Sequence, residues 1–219
     1  MEEIKFSKQT KKSILKQMNI VIGKSVEIGN NVKIGCNVCV LGNSKIGDRV
    51  VLKSNTVVED CVVENEVEIC SSFLVGSIIK KGSKIGPFAN IRKGSIIGEN
   101  CKVGNFVEIK NSNLGSNTKV SHLAYVGDVE IGEYCNIGCG VIFCNYNGRE
   151  KFRSRVGNFS FIGSNSNIVA PVQIGDYAYI AAGSTITKDV KDNEFAIARE
   201  RQTNKENFKN PYKNKFNKN

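Results

Sequence analysis

An aliphatic residue recurs every six positions along most of this chain, and this repeat limits the possible folds more than any other feature. These anchor residues run from Ile22 to Val58, from Ile79 to Ile109 and from Val156 to Ile186. A small or β-branched residue precedes most anchors by two positions, so alternate side chains point inward as in a β-strand. Gly, Asn and Asp crowd the intervening positions, where turns need a positive φ.

Strands this short cannot bury an apolar face alone, whereas stacked copies can. Three six-residue units per triangular turn make one coil, and residues 22–188 then supply roughly nine coils, each about 4.8 Å above the last. The spacing therefore predicts an all-β solenoid of parallel strands. The pattern resembles the hexapeptide-repeat family, which implies a left-handed parallel β-helix. The left hand comes from this resemblance alone, since the usual crossover rule favours the right hand.

The repeat is interrupted in three ways. The steps from Ile109 to Leu114 and from Val126 to Ile131 are one residue short, which single deletions at corners would explain. Residues 59–78 leave the frame, and the sequence does not place their anchors. The polar segment 145–155 is too long for a corner and predicts an external loop, a common place for function on a rigid scaffold.

This frame also sets the expected organisation of the chain. Residues 1–20 form an N-terminal extension, in which residues 7–18 predict a short helix. Residues 21–198 form the β-helix domain with its external loop. Residues 199–219 form a basic, mostly polar C-terminal tail.

The net charge of +10 is concentrated at the two ends. Residues 1–24 carry six Lys against two Glu, and residues 199–219 carry seven basic against two acidic residues, so the body is nearly neutral. We therefore expect solvated tails and no nucleic-acid binding. No run approaches the ~18 apolar residues of a membrane span, so we expect no membrane association. The charged start does not resemble a signal peptide, and the eight cysteines are expected to be reduced thiols in the cytoplasm.

The single histidine is the first candidate for chemistry. His122 follows the anchor Val120 by two positions and precedes the inward Ala124, so its side chain should point outward. An imidazole is a natural general base near neutral pH. An incidental surface histidine is the alternative, but Tyr125 on the next outward position favours a site. One histidine excludes the three-histidine zinc site of hexapeptide-repeat carbonic anhydrases, and we expect no metal.

Counting along the frame stacks further outward side chains on successive coils. Arg92 and Lys110 lie eighteen residues apart on one corner. Two stacked cations repel each other unless an anion lies nearby, so a phosphate would fit there, with a solvated basic ladder as the alternative. Ser164 and Ala182 stack in the same way, and Cys139 shares a corner with the histidine. This alignment suits a long, thin ligand that lies along the helix axis.

Five segments carry a more specific resemblance: GPFANIRKG (86–94), VGNFVEIKNSNLG (103–115), SHLAYVGD (121–128), IGCGVIFCNYNG (137–148) and IARERQT (197–203). In order and spacing they resemble the acetyltransferase half of the bifunctional N-acetylglucosamine-1-phosphate uridyltransferase / glucosamine-1-phosphate acetyltransferase family. The resemblance covers roughly residues 20–205. It implies a homotrimer that transfers the acetyl group of acetyl-CoA to the amine of glucosamine 1-phosphate, for UDP-N-acetylglucosamine and peptidoglycan synthesis.

The resemblance also assigns roles by position. It makes His122 the general base. The sugar-phosphate positions are Arg92, Lys110, Tyr125, Asn136 and Lys151. The acetyl-CoA positions are Cys139, Asn145, Tyr146, Ser164, Ala182 and Arg199. Cys139 stands where the family usually has alanine. Apart from the resemblance, the chemistry needs a donor for the oxyanion, and a backbone N–H near Asn145 and the Asn145 amide are the two candidates.

The family's nucleotidyltransferase half, with its Gly-rich nucleotide loop, has no counterpart in this sequence. We therefore expect no uridylyl transfer, no Mg²⁺ requirement and, as one candidate partner, a separate uridyltransferase. Two other functions stay open. A hexapeptide-repeat acyltransferase acting on another amino sugar or nucleotide sugar would keep His122 but would not need Arg92 and Lys110 together with the loop. A non-catalytic β-helix scaffold would need none of them.

Overall fold

A computed structural model describes residues 19–207 of the chain. Within them, 27 short strands coil into a left-handed parallel β-helix of about ten turns, which confirms the predicted fold class. No helix in this range is long and apolar enough to cross a membrane. The helix predicted over residues 7–18 and the end of the tail, residues 208–219, lie outside the described residues.

The strands form three flat faces, which the chain visits in the order I, II, III. Face I carries β1 (Val21–Ile22), β4 (Cys39–Leu41), β7 (Val57–Glu59), β10 (Phe73–Val75), β13 (Asn90–Ile91), the C-terminal parts of β15 (Lys102–Lys110) and β17 (Lys119–Gly127), β20 (Ile142–Cys144), β23 (Asn167–Val169) and β26 (Thr185–Ile186). Face II carries β2 (Glu27–Ile28), β5 (Lys45–Ile46), β8 (Val62–Val63), β11 (Ile78–Ile79), β14 (Ile96–Ile97), β16 (Asn113–Leu114), β18 (Val129–Ile131), β21 (Ser154–Val156) and β24 (Gln173–Ile174). Face III carries β3 (Lys33–Ile34), β6 (Val51–Leu52), β9 (Glu68–Ile69), β12 (Lys84–Ile85), the N-terminal parts of β15 and β17, β19 (Asn136–Ile137), β22 (Phe161–Ile162), β25 (Tyr179–Ile180) and β27 (Phe195–Ala196).

The core is a stack of anchors in parallel register, because each strand pairs with the equivalent strand of the next coil. Ile91, for example, pairs with Ile109, and both are fully buried. Polar residues also occupy inward positions, where many of their hydroxyls bond to the backbone, although Thr56 Oγ1 has no partner among the described residues. Ser112 Oγ donates to Lys110 O and accepts from Val129 N, at 2.8 and 3.1 Å. The two-residue inward pattern of the sequence is therefore the pattern of the core.

The structure places the anchors that the sequence left unassigned in residues 59–78. Val63, Ile69, Leu74 and Ile79 are all buried to within 1% of full burial. Three steps in this stretch have five residues instead of six: those ending at Val63, Leu74 and Ile79. Each short step shifts the frame by one residue, yet the strands of this stretch still pair with the neighbouring coils, so coil stacking continues without a break.

The predicted external loop leaves face I after Cys144 and returns at β21. Ser154 and Arg155 were expected in the loop but belong to this strand, because Glu130 and Gln173 on the neighbouring coils pair with Arg155. Within the loop, Tyr146 and Lys151 form an antiparallel bridge. The loop therefore projects from the corner between faces I and II.

Candidate functional site

The single histidine lies on the corner between faces III and I, as predicted, with its side chain exposed. It pairs with Asn105 across the long strands β17 and β15. His122 Nδ1 lies 2.7 Å from Asn105 Oδ1. An amide oxygen accepts and cannot donate, so in the neutral imidazole Nδ1 carries the proton of this bond and the lone pair lies on Nε2. His122 therefore presents a proton acceptor to the outside of the solenoid.

Three further predicted residues stack above His122 on this edge. The histidine corner, as we call it, consists of His122, Cys139, Ser164 and Ala182, and all four are exposed. Hydrogen bonds join consecutive coils here, for example from Gly183 N to Ser164 O at 2.8 Å. A Cβ on Gly138 would lie 2.6 Å from Ser164 N, so only glycine permits this close approach of the coils. The stacking predicted from the frame is confirmed.

Arg199 lies at the upper end of this line. Its Cδ is 3.5 Å from the position that a Cβ on Gly183 would occupy, next to Ala182. The side chain is exposed. A guanidinium therefore lies at the end of the histidine corner that is farthest from His122.

The opposite edge of face I gathers three predicted cations. Arg92 and Lys110 follow paired anchors on successive coils, as expected. Arg92 Nη1 lies 2.8 Å from Glu108 Oε1, and Lys151 reaches back from the external loop to contact the Lys110 amine. We call Arg92, Lys110 and Lys151 the cation cluster.

The two lysines of the cation cluster change each other's pKa. Hydrogen bonding and charge repulsion from Lys110 lower the pKa of Lys151, with further repulsion from Arg92. The same hydrogen bond, together with attraction from Asp128, raises the pKa of Lys110. An anion between the two amines would remove the cause of the lowered pKa. The cluster therefore favours a ligand that carries negative charge.

A buried carboxylate lies beneath the cation cluster. Asp128 is 7% exposed and accepts a hydrogen bond from Asn111 Nδ2 at 2.6 Å and a shorter one from Asn145 Nδ2. Lys110 Nζ lies 3.6 Å away. Burial opposes ionisation, but the two amide donors, Lys110 and Lys151 outweigh it and lower the pKa of Asp128. Asp128 therefore stays ionised and anchors both the loop and the cluster.

Tyr125 lies on face I between the histidine corner and the cation cluster. Its hydroxyl accepts a hydrogen bond from Asn145 Nδ2 at 3.4 Å. A Cβ on Gly127 would lie 2.5 Å from this hydroxyl, so the glycine leaves the space that Tyr125 occupies. Tyr146, farther along the loop, is exposed and its hydroxyl donates to Gly148 O at 2.7 Å.

One predicted residue lies apart from the others. Asn136 is exposed on face III, where it pairs with Lys119 below and Phe161 above. Within residues 19–207 no hydrogen bond or ion pair joins it to the cation cluster. The same residues include no group of three or more His, Cys, Asp or Glu side chains that could hold a metal ion. The metal-free reaction stays a prediction.

Comparison with known proteins agrees with this architecture. The model of the bacterial transferase hexapeptide (six repeats) matches residues 153–188, and that of the GMPPB C-terminal domain matches residues 16–99. The bifunctional protein GlmU of Caldicellulosiruptor saccharolyticus is 50% identical over 146 residues, which cover 67% of this chain and 32% of that protein. The GlmU of Enterococcus faecalis is 51% identical over 152 residues, covering 68% and 33%. The chain is a hexapeptide-repeat protein related to GlmU.

This hexapeptide-repeat chain spans about a third of the length of the curated relatives it matches. Among solved structures, the UDP-N-acetylglucosamine acyltransferase of Francisella novicida aligns with a TM-score of 0.50 at 19% identity, covering 82% of this chain and 65% of that one. That likeness supports the fold alone.

Sequence reasoning missed Asn105, Asn111 and Asp128. Asn111, Asp128 and Asn145 are seventeen residues apart in turn. A coil with one shortened corner has that spacing, so counting seventeen in this region would have found the column. Asn105 follows from the same count, because it lies seventeen residues before His122.

Proposed function

We propose that this hexapeptide-repeat chain transfers the acetyl group of acetyl-CoA to the amine of glucosamine 1-phosphate, yielding N-acetylglucosamine 1-phosphate. One observation carries the proposal: a histidine with a free Nε2 and a cluster of three cations border the same face of the solenoid. An amino sugar with a phosphate has both a nucleophile and an anion to match. The relationship to GlmU supports the same reaction.

In this mechanism the phosphate binds the cation cluster and the sugar lies across face I over Tyr125. The amine then reaches the histidine corner, so binding energy from the phosphate is converted into orientation of the nucleophile. As the amine attacks the thioester carbon, His122 Nε2 takes one proton from it. The C–S bond breaks as the tetrahedral intermediate collapses. The imidazolium returns the proton to the departing thiolate of CoA, so no acyl-enzyme forms.

The histidine corner supports an extended coenzyme. Cys139, Ser164 and Ala182 offer short side chains along the axis, which leave room for the pantetheine arm above His122. Arg199 at the upper end suits a phosphate of the coenzyme, because a guanidinium matches phosphate oxygens in charge and geometry. Acetyl-CoA would then present its thioester beside the base.

A homotrimer with shared sites is part of the proposal. Asn136 is a sugar-phosphate position by resemblance but lies on face III, away from the cation cluster of its own chain. A neighbouring copy could supply it. Phe161, Tyr179 and Phe195 stack beside it with ring centroids 4.7 and 5.7 Å apart, an apolar surface of the kind that subunits bury. A stable, fully active monomer in light scattering would contradict the shared site.

The test measures CoA release from acetyl-CoA with three acceptors: glucosamine 1-phosphate, glucosamine 6-phosphate and a UDP-linked amino sugar. We expect sustained release with the first and little with the others. Release with the UDP-linked sugar instead would support an acyltransferase of another specificity. No release with any acceptor would favour a scaffold.

A further inference from the structure

The external loop, residues 145–153, is folded into a hairpin that carries one member of the cation cluster. Tyr146 and Lys151 form the bridge between its two sides. Asn147 Oδ1 closes the turn, because it accepts from the backbone N–H groups two and three positions later, each at 2.9 Å. The hairpin therefore has an internal structure of its own, and the position of Lys151 depends on how the hairpin is fixed to the coils.

Arg153, at the C-terminal end of the loop, ties the hairpin to two successive coils. Its Nη1 donates to Asn111 O at 3.1 Å, and its Nε lies 3.3 Å from Glu130 Oε1. In the described part of the chain, this is the one ion pair between the loop and the coils. The rigid fork of a guanidinium suits two partners at once, whereas a lysine amine is a single point charge.

These contacts join the two chain segments that carry the lysines of the cation cluster. Asn111 directly follows Lys110, and Lys151 precedes Arg153 by two positions. Lys151 contacts the Lys110 amine, and the two like charges repel each other. Because this repulsion drives the hairpin away from the corner, contacts elsewhere on the hairpin must oppose it. Arg153 provides such contacts.

The Arg153 guanidinium itself is not a fourth cation for the ligand. Its charge is paired with Glu130 on face II, whereas the cation cluster borders face I. The side chains of the pair are 40% and 55% exposed, so the ion pair contributes little to stability. Its effect is therefore expected in where the hairpin lies, and not in how strongly the chain folds.

We propose that Arg153 is a positioning residue for the acetyl transfer: by fixing the base of the hairpin to Asn111 and Glu130, it holds Lys151 beside Lys110 for the phosphate of the sugar. The inference rests on the proposed function. With the hairpin fixed in advance, phosphate binding does not have to order the loop, which lowers the entropic cost of binding. The proton transfer at His122 does not depend on this contact.

Steady-state kinetics test the proposal first. Arg153→Ala should raise the KM for glucosamine 1-phosphate about fivefold, while kcat and the KM for acetyl-CoA change little. Arg49→Ala is the matched control, since Arg49 also pairs with an acid on the next coil, Glu66, at 2.6 Å, but no loop leaves there. It should leave all three constants unchanged. An equal rise in both KM values, or a loss of kcat alone, would overturn the proposal.

A double variant separates an effect through Lys151 from a direct one. Lys151→Ala should raise the KM for the sugar at least about tenfold. If Arg153 acts through Lys151, adding Arg153→Ala to this variant should change the KM by no more than about 1.5-fold. A further fivefold rise would overturn the proposal, because independent contributions multiply.

The amine of Lys151 gives a readout that needs no substrate. Hydrogen bonding and charge repulsion from Lys110 lower its pKa, and Arg153→Ala leaves Arg92 and Asp128, the other charged groups that act on it, in place. Releasing the hairpin should therefore raise the pKa. The pH dependence of Lys151 acetylation by acetic anhydride, followed by mass spectrometry of the full chain, should shift to higher pH in Arg153→Ala. An unchanged pH dependence would refute the positioning role. Wild-type protein that releases no CoA would refute the proposed function, and the pH shift would still decide the role of Arg153.

Discussion

The lower coils and the site-bearing coils share one repeat but use their outward positions differently. In the lower coils, cations meet acids on the next coil: Lys45 lies 3.0 Å from Glu27, and Arg49 lies 2.6 Å from Glu66. In the site-bearing coils Arg92 keeps such a partner, Glu108, whereas the two lysines of the cation cluster meet each other over one buried carboxylate. The comparison shows that the repeat specifies the core and the stacking of outward positions, but not the chemistry of the outward side chains. Outward positions can hold exposed ion pairs that contribute little to stability. They can also hold an excess of positive charge that a bound anion would neutralise.

The largest expected effect comes from removing the base. His122→Ala should lower kcat about 100- to 10,000-fold, because no other imidazole can take the proton. The side chain is exposed, so the melting temperature should stay the same. Steady-state CoA release and thermal unfolding check both statements. A variant that keeps a tenth of wild-type kcat would remove His122 from the mechanism.

Removing a cation from the cation cluster should raise the KM for one substrate more than the KM for the other. Arg92→Ala or Lys110→Ala should raise the KM for glucosamine 1-phosphate about 10- to 100-fold, the cost of one charged hydrogen bond to phosphate. The KM for acetyl-CoA should change little. Lys53→Ala is the matched control, since Lys53 also follows an anchor directly and, like Arg92, pairs with an acid, Glu68, but lies in the lower coils away from the cation cluster. Equal effects on both substrates would identify the cluster as a structural ladder.

A smaller effect is expected at the residue that holds the imidazole. Asn105→Ala should lower kcat about tenfold by releasing the Nδ1 proton from its acceptor. Asn105→Asp should retain most activity, because a carboxylate oxygen also accepts there. Asn55→Ala is the control, since Asn55 Oδ1 accepts from Asn37 in the lower coils at 3.1 Å. Equal losses in the Ala and Asp variants would exclude a role for this hydrogen bond.

The same comparison explains which parts of the fold and of the site could be predicted from the sequence. Anchors such as Ile109 were predictable, because a six-residue period with two inward positions determines which side chains are buried. The stacking of Arg92 on Lys110 followed from coil length alone. Residues 59–78 were not placed, because three of the four steps between Val58 and Ile79 are one residue short, which disguises the period. The seventeen-residue spacing places Asp128 in its column, but its contacts with Lys110 and Lys151 could not be predicted, because the repeat does not encode which outward side chains meet.

The smallest effect, and the sharpest contrast with Asp128, is expected at Glu66. Its hydrogen bond with Arg49, with added attraction from Lys81, lowers its pKa. Because its pKa is lower in the folded than in the unfolded protein, the Glu66 carboxylate stabilises the fold at pH values above the unfolded pKa. This stabilisation is lost as the pH falls through the pKa of the folded state. Because Glu66 is exposed and screened by solvent, Glu66→Gln should shift Tm by no more than about 2 °C at neutral pH. That shift should vanish on acidification and shrink in about 1 M salt, where the screening length is short.

Asp128→Asn should change Tm in the same direction, but it acts on a buried group with two amide donors. Its Tm loss at neutral pH should therefore be larger and should resist salt. Thermal unfolding of both variants across pH and ionic strength measures this, and equal, equally salt-sensitive shifts would show that the two regions do not differ energetically.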